Sequence, residues 1–108
     1  MQVDAGTISL KLSYDEAGQP NGFEQGTAAA TDLVIAFVNT STVRIANRSR
    51  QHLKLDLWLS QNGKRFVYTS SCPILAGGES FENWPAPVTW LYVSNPRILQ
   101  PDAPARCQ

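Results

Sequence analysis

The sequence predicts an all-β protein, a single antiparallel β-sandwich or jelly-roll-like domain of seven to eight short strands. Three observations lead there. Apolar residues recur at every second position in short runs, most strictly in His52-Leu53-Lys54-Leu55-Asp56-Leu57-Trp58-Leu59, and a period of two belongs to a pleated strand with one buried face. Turn residues such as Asn62-Gly63 and Ala76-Gly77-Gly78 separate the runs, as they do in sandwiches. No segment shows the i, i+3, i+4 apolar spacing of an amphipathic helix.

The first strand is Thr7–Tyr14, with Ile8, Leu10, Leu12 and Tyr14 on one face. Asp15–Thr31 is rich in Gly, Gln, Pro, Asn and Ala with Phe23 as its one large apolar anchor, and it reads as a long polar loop. Leu33–Asn39 is apolar almost throughout, the mark of a strand covered on both faces. Val43–Asn47 follows, then His52–Ser60, whose four leucines face one side. Asn62-Gly63 signals a type I′ hairpin, in which both central residues need positive φ, returning as Phe66–Thr69. After the Ala76-Gly77-Gly78 corner comes the short strand Glu79–Trp84, then Pro85 and Pro87 bracket a bend. Val88–Asn95 closes the sheet, and Pro96 is expected to end it. The domain therefore spans 1–97, and 98–108 is a Pro-rich C-terminal tail.

At 108 residues and zero net charge, the chain is one domain without the basic excess of a nucleic-acid binder or a polybasic membrane anchor. No apolar run approaches the ~20 residues that span a bilayer. The start, Met1-Gln2-Val3-Asp4-Ala5, lacks the basic and apolar regions of a signal peptide, so we expect either a protein used without secretion or a mature chain. Zero net charge hides a gradient. Residues 1–32 carry Asp4, Asp15, Glu16, Glu24 and Asp32 against Lys11, whereas residues 33–65 carry Arg44, Arg48, Arg50, Lys54, Lys64 and Arg65 against Asp56. Such a dipolar subunit suits either differently solvated faces or head-to-tail association.

Cys72 and Cys107 permit one bridge across about 35 residues, worth about 3–4 kcal/mol in the chain-entropy model. The missing leader favours free thiols, and Cys107, next to last, could equally pair between chains.

The chemistry of catalysis finds few footholds. His52 is the only histidine and has no sequence neighbours suited to a nucleophilic triad. One histidine and two distant cysteines do not make a zinc pattern. Glu79 and Glu82 are an odd number of residues apart, so a strand sends them to opposite faces. Gly77-Gly78 lacks the Lys-Ser/Thr of a phosphate loop. Asn39-Thr40-Ser41 and Asn47-Arg48-Ser49 read as turns. We therefore expect no enzyme, no cofactor and no metal. The aromatics are more telling: Trp90 is the natural core tryptophan, and Trp58, opposite the leucine face, is expected to be partly exposed as an interface anchor or sugar-stacking platform.

The stretch Val43-Arg44-Ile45-Ala46-Asn47-Arg48-Ser49, then Leu75-Ala76-Gly77-Gly78-Glu79-Ser80-Phe81-Glu82, then Ala86-Pro87-Val88-Thr89-Trp90-Leu91-Tyr92-Val93-Ser94 resembles a small β-sandwich pattern of tailed-bacteriophage virion proteins, among them head-decoration, head-fibre and related accessory proteins. The resemblance covers residues 43–96, about half the chain. It departs from that pattern at the proline-flanked Trp84 and in the additional N-terminal strands. It implies a non-enzymatic structural virion protein, made in the host cytoplasm, that docks on capsid or tail proteins and forms a homo-oligomer. Phe23, Trp58, Trp84, Arg44, Arg48, Arg50, Lys64 and Arg65 are its candidate contact residues, with no role for nucleic acid or membrane. The rival expectation is a secreted or periplasmic carbohydrate-binding or ligand-binding module, for which a Cys72–Cys107 bridge would be natural.

Overall fold

Alternation along each strand sorts the chain into two antiparallel sheets whose apolar faces meet. The computed structural model describes residues 2, 3, 6–27, 29–100, 102 and 107, with the backbone alone for 2 and 3. Nine strands are present among them: β1 (Gln2–Val3), β2 (Thr7–Tyr14), β3 (Pro20–Gln25), β4 (Leu33–Asn39), β5 (Thr42–Asn47), β6 (His52–Ser60), β7 (Val67–Ser70), β8 (Glu79–Asn83) and β9 (Trp90–Leu99). One sheet has the order β1-β9-β6-β7, the other β3-β2-β4-β5-β8. The protein is a small all-β sandwich.

The core follows the predicted period. Leu10, Leu12, Leu33, Ile35, Val43 and Ile45 from the five-stranded sheet meet Leu53, Leu55, Leu57, Leu91 and Val93 from the four-stranded one, with Ile74 between, and all are buried. Each such side chain contributes about 1.5–3 kcal/mol of transfer free energy, set against the entropy of ordering the chain. Leu59, the fourth leucine of β6, is only partly buried, because the sandwich opens at that end.

Five expectations are corrected. The Asp15–Thr31 loop contains β3, which pairs with β2 in the register Leu12↔Phe23 and Leu10↔Gln25. Its turn is held by the Asp15 carboxylate, which accepts hydrogen bonds from the Ala17 and Gln19 N–H groups, each at 2.9 Å. An edge strand with one apolar anchor carries almost no periodic signal, and its proline sits at the first position, where a missing N–H costs little.

Asn62-Gly63 does not close a two-residue hairpin. β6 and β7 pair as Leu59↔Val67 and Trp58↔Tyr68, so Gln61–Phe66 forms a longer loop. Gly63 has φ +74° while Asn62 stays negative. Instead of flanking a type I′ turn, the Asn62 Oδ1 accepts from the Lys64 and Arg65 N–H groups at 2.8 and 3.0 Å. The side chain substitutes for backbone pairing, as Asn does in turns.

Pro96 does not end the last strand. β9 runs on to Leu99 through a bulge in which Lys54↔Arg97 and Asp56↔Ser94 are paired and Asn95 takes φ +51°. Bulges accommodate a proline inside a strand, and β1 pairs only with Leu91 and Tyr92, so no partner there needs the missing N–H. Ile98 and Leu99 thus belong to the domain. Of the rest of the predicted tail, Gln100, Asp102 and Cys107 are described; 101, 103–106 and 108 lie outside the described residues. Cys107 is bonded to Cys72, so the expectation of free thiols yields to an intrachain bridge.

Trp90 is not the core tryptophan. In β9 it is Leu91 and Val93 that are buried, while Trp90 is half-buried on the other face against Gly63.

Candidate recognition surface

β6 lies between β7 and β9, so each outward residue of β6 has a lateral neighbour on either side. Trp58 stands in register with Tyr68 of β7 and Tyr92 of β9, and adjacent strands are about 4.8 Å apart. The three aromatic side chains therefore form one row across the outer face of the four-stranded sheet. Their exposures are 48% for Tyr68, 37% for Trp58 and 45% for Tyr92. The Trp58 and Tyr68 rings are tilted at 58° with centroids 5.1 Å apart, within the favourable range for aromatic pairs. The Trp58 Nε1–H donates to Ser94 Oγ at 3.2 Å, which fixes the indole.

A polar row runs beside the aromatic one. Asp56 is in register with Ser70 and Ser94. Its Oδ1 accepts from the Tyr68 hydroxyl and the Arg97 Nη1–H, both at 2.9 Å, and its Oδ2 accepts from the Asn95 Nδ2–H at 3.1 Å. The last two contacts come from the bulge, where Asn95 has left-handed backbone and Arg97 lies two residues on. Burial works against ionising Asp56, but the hydrogen bonds from Asn95, Tyr68 and Arg97, with the Arg97 charge, outweigh it and hold the carboxyl below its usual range. The same hydrogen bond to Asp56 raises the Tyr68 hydroxyl pKa, so both groups keep their neutral-pH charge states.

The other predicted contact residues are not gathered here. Phe23 and Trp84 are partly buried against the core. Arg44 projects from β5 and ion-pairs diagonally with Glu79 of β8, whose register partner is Ala46, and each is about half exposed; exposed pairs of this kind contribute little. Arg48 and Arg50 lie in the turn before β6, and Lys64 and Arg65 in the loop after it. A nine-residue strand is about 30 Å long, so the basic segment splits between the two ends of the sandwich. Of the acidic third, Asp32 is turned inward, its Oδ2 accepting from the Leu12 N–H at 2.8 Å.

The residues considered for chemistry have structural partners. His52 Nδ1 accepts from the Ala76 N–H at 2.9 Å. Glu79 faces out and Glu82 faces in, where Glu82 Oε2 accepts from Ser80 Oγ–H at 2.7 Å, so the two carboxylates do sit on opposite faces. Asn47 is buried, donating from Nδ2 to the Gln51 and Ile74 carbonyls at 2.7 and 2.9 Å, so Asn47-Arg48-Ser49 is a structural turn. No cluster of three or more metal-ligating side chains occurs among the described residues.

Tyr68 and Tyr92 were not singled out by the sequence. Tyr92 was legible as a face-mate of Trp90. Tyr68 was not, because its position opposite Trp58 depends on the length of the Gln61–Phe66 loop.

Compared with known proteins, the chain matches no protein-family model, no curated protein and no solved structure.

Proposed function

We propose that this protein is a non-enzymatic assembly module that docks on an ordered protein surface through the outer face of its four-stranded sheet. The observation that carries this reading is the exposed row Tyr68–Trp58–Tyr92. Tyr and Trp are the side chains that most often anchor protein interfaces. The adjacent Asp56–Asn95–Arg97 network holds polar groups in fixed positions, which lowers the ordering cost of binding. Under the sequence resemblance, the surface is a phage capsid or tail and the role is decoration, with the subunits forming a homo-oligomer. A disulfide suits a virion surface as well as a secreted protein. Light scattering after size exclusion, together with cosedimentation with phage shells, tests the reading. Oligomers or shell binding that Trp58→Ala weakens at least tenfold support it. A strict monomer that leaves shells bare defeats it.

A second reading is a periplasmic or extracellular carbohydrate-binding module. Two features favour it: the Cys72–Cys107 bond, and a polar row directly beside the aromatic one. Sugar rings present C–H faces to aromatics and hydroxyls to such polar groups. Tryptophan fluorescence titrated with a glycan panel separates the readings, because only this one gives saturable quenching that Trp58→Ala removes.

A further inference from the structure

An open cleft of about 370 Å³ lies between the sheets where β6 turns into β7, on the opposite face of the sheet from the aromatic row. The chain leaving β8 explains why it stays open. The Trp84 N–H donates to the Ser41 carbonyl at 3.0 Å, the Val88 N–H to Thr40 at 2.7 Å, and the Thr89 N–H to Ser60 at 3.0 Å. These bonds strap 84–89 across the end of the sandwich. Between them stand Pro85 and Pro87, which have no N–H with which to pair against a strand.

Leu59 is consequently only partly covered, and the inner face of Val67 is left open. Val67 is 62% exposed although it is in register with Leu59 on the core-facing side of the sheet. Trp84, Val88 and the two prolines complete apolar walls.

Arg65 is the one charged side chain of the lining, beside the neutral Ser60, Gln61 and Asn62. It is exposed, and its guanidinium has no acidic partner among the described residues. No Asp or Glu lines the cleft. The Ala86 N–H, the only one between the two prolines, also has no acceptor among the described residues. An apolar cavity with a few convergent donors is the usual form of a small-ligand site, and this one is near the small end of the ~300–1,000 Å³ range.

We propose that this cleft binds an alkyl carboxylate of short to medium chain. The chain lies along Leu59, Val67, Trp84 and Val88, and the carboxylate pairs with Arg65. A cation over the same cleft would meet Arg65 with no anion to offset it. The site is independent of the docking face and stands or falls separately from it.

The test uses the whole protein, ¹⁵N-labelled, titrated with decanoate and in parallel with decyltrimethylammonium, both below their micelle thresholds. Decanoate is expected to shift the amide signals of Val67, Ala86 and Val88 saturably while leaving those of Trp58 and Tyr92 in place. Arg65→Gln weakens decanoate roughly tenfold, the scale of a lost charge-assisted contact. Val67→Asp, at an exposed position that does not support the core, abolishes decanoate binding and improves that of the cation. Equal binding of the two probes, shifts centred on the aromatic row, or an Arg65→Gln protein that binds decanoate as well as the parent would each overturn the proposal. Thermal melts of both variants confirm that they are folded before titration.

Discussion

The Arg97 guanidinium donates to the Asp56 carboxylate at 2.9 Å, across a pair of strands whose register breaks at that point. Without the extra residue, β9 would present a different side chain to Asp56. The bulge trades one strained residue, Asn95 at φ +51°, for two hydrogen bonds to a single carboxylate. Asn tolerates the left-handed region better than other non-glycine residues. Bulges recur where a side chain must be re-aimed, and here the re-aimed groups frame the proposed docking face.

The first prediction concerns pH. Folding lowers the Asp56 pKa, so its stabilisation is fully present above the unfolded-state value and is lost as pH falls through the lower folded-state value. The loss therefore begins below about pH 4, the ordinary aspartate range. Asp56→Asn is expected to destabilise the protein by about 1.5–3 kcal/mol at neutral pH, the scale of hydrogen bonds to a charged group. It should also flatten the acid limb of the curve. Urea denaturation of both proteins from pH 7 to about pH 3 measures this, and parallel acid limbs would count against it.

Gly63 and Gly77 make a matched pair. Both have positive φ, at +74° and +72°, but a Cβ on Gly63 would lie 2.7 Å from Trp90 Nε1, whereas one on Gly77 meets nothing within 4 Å. Gly77→Ala should cost about 1–2 kcal/mol of backbone strain alone. Gly63→Ala should cost more, because the Trp90 indole must also move. Chemical denaturation followed by tryptophan fluorescence checks both, since only the Gly63 variant is expected to change the native emission.

Asn47 joins the β5–β6 turn to the segment beside β6. Its Oδ1 accepts from the Ser49 N–H at 2.9 Å, while its Nδ2 serves the two carbonyls already described. Asn47→Ala removes both of those bonds and the two that Oδ1 accepts from Ser49, each worth about 0.5–1.5 kcal/mol net. We expect a loss of at least about 2 kcal/mol by denaturant melts, well beyond that of Asn39→Ala in the exposed β4–β5 turn.

The Cys72–Cys107 bond closes a loop with a sequence separation of 35. Reduction, or a double Cys→Ser variant, should lower stability by about 3–4 kcal/mol in the chain-entropy model. Thiol titration of the denatured, unreduced protein should find no free thiol. Two free thiols would place the native protein in a reducing environment.

Alternation made much of this architecture readable in one dimension. The Leu53–Leu57 face, the Thr7–Tyr14 strand and the outward position of Trp58 follow from period-two burial, a property each strand carries in its own residues. Leu33–Asn39 was legible as an apolar run, although only Leu33 and Ile35 in it are fully buried and Val38 is exposed. β3 left almost no such trace, because an edge strand with one anchor is stabilised chiefly by the ladder it forms with β2. Pro96 pointed the wrong way, because proline stops a strand only where a neighbour requires its N–H.

Long-range register is a different quantity. Whether Tyr68 meets Trp58, whether Asn95 and Arg97 reach Asp56, and whether Lys64–Arg65 joins Arg48–Arg50 or is parted from it all depend on loop lengths and on one bulge. Local composition encodes which face a residue takes, and therefore the class of fold. Lateral neighbours across strands are set by the mutual packing of distant segments, so the aromatic row and the open cleft came into view only once the sheets were assembled.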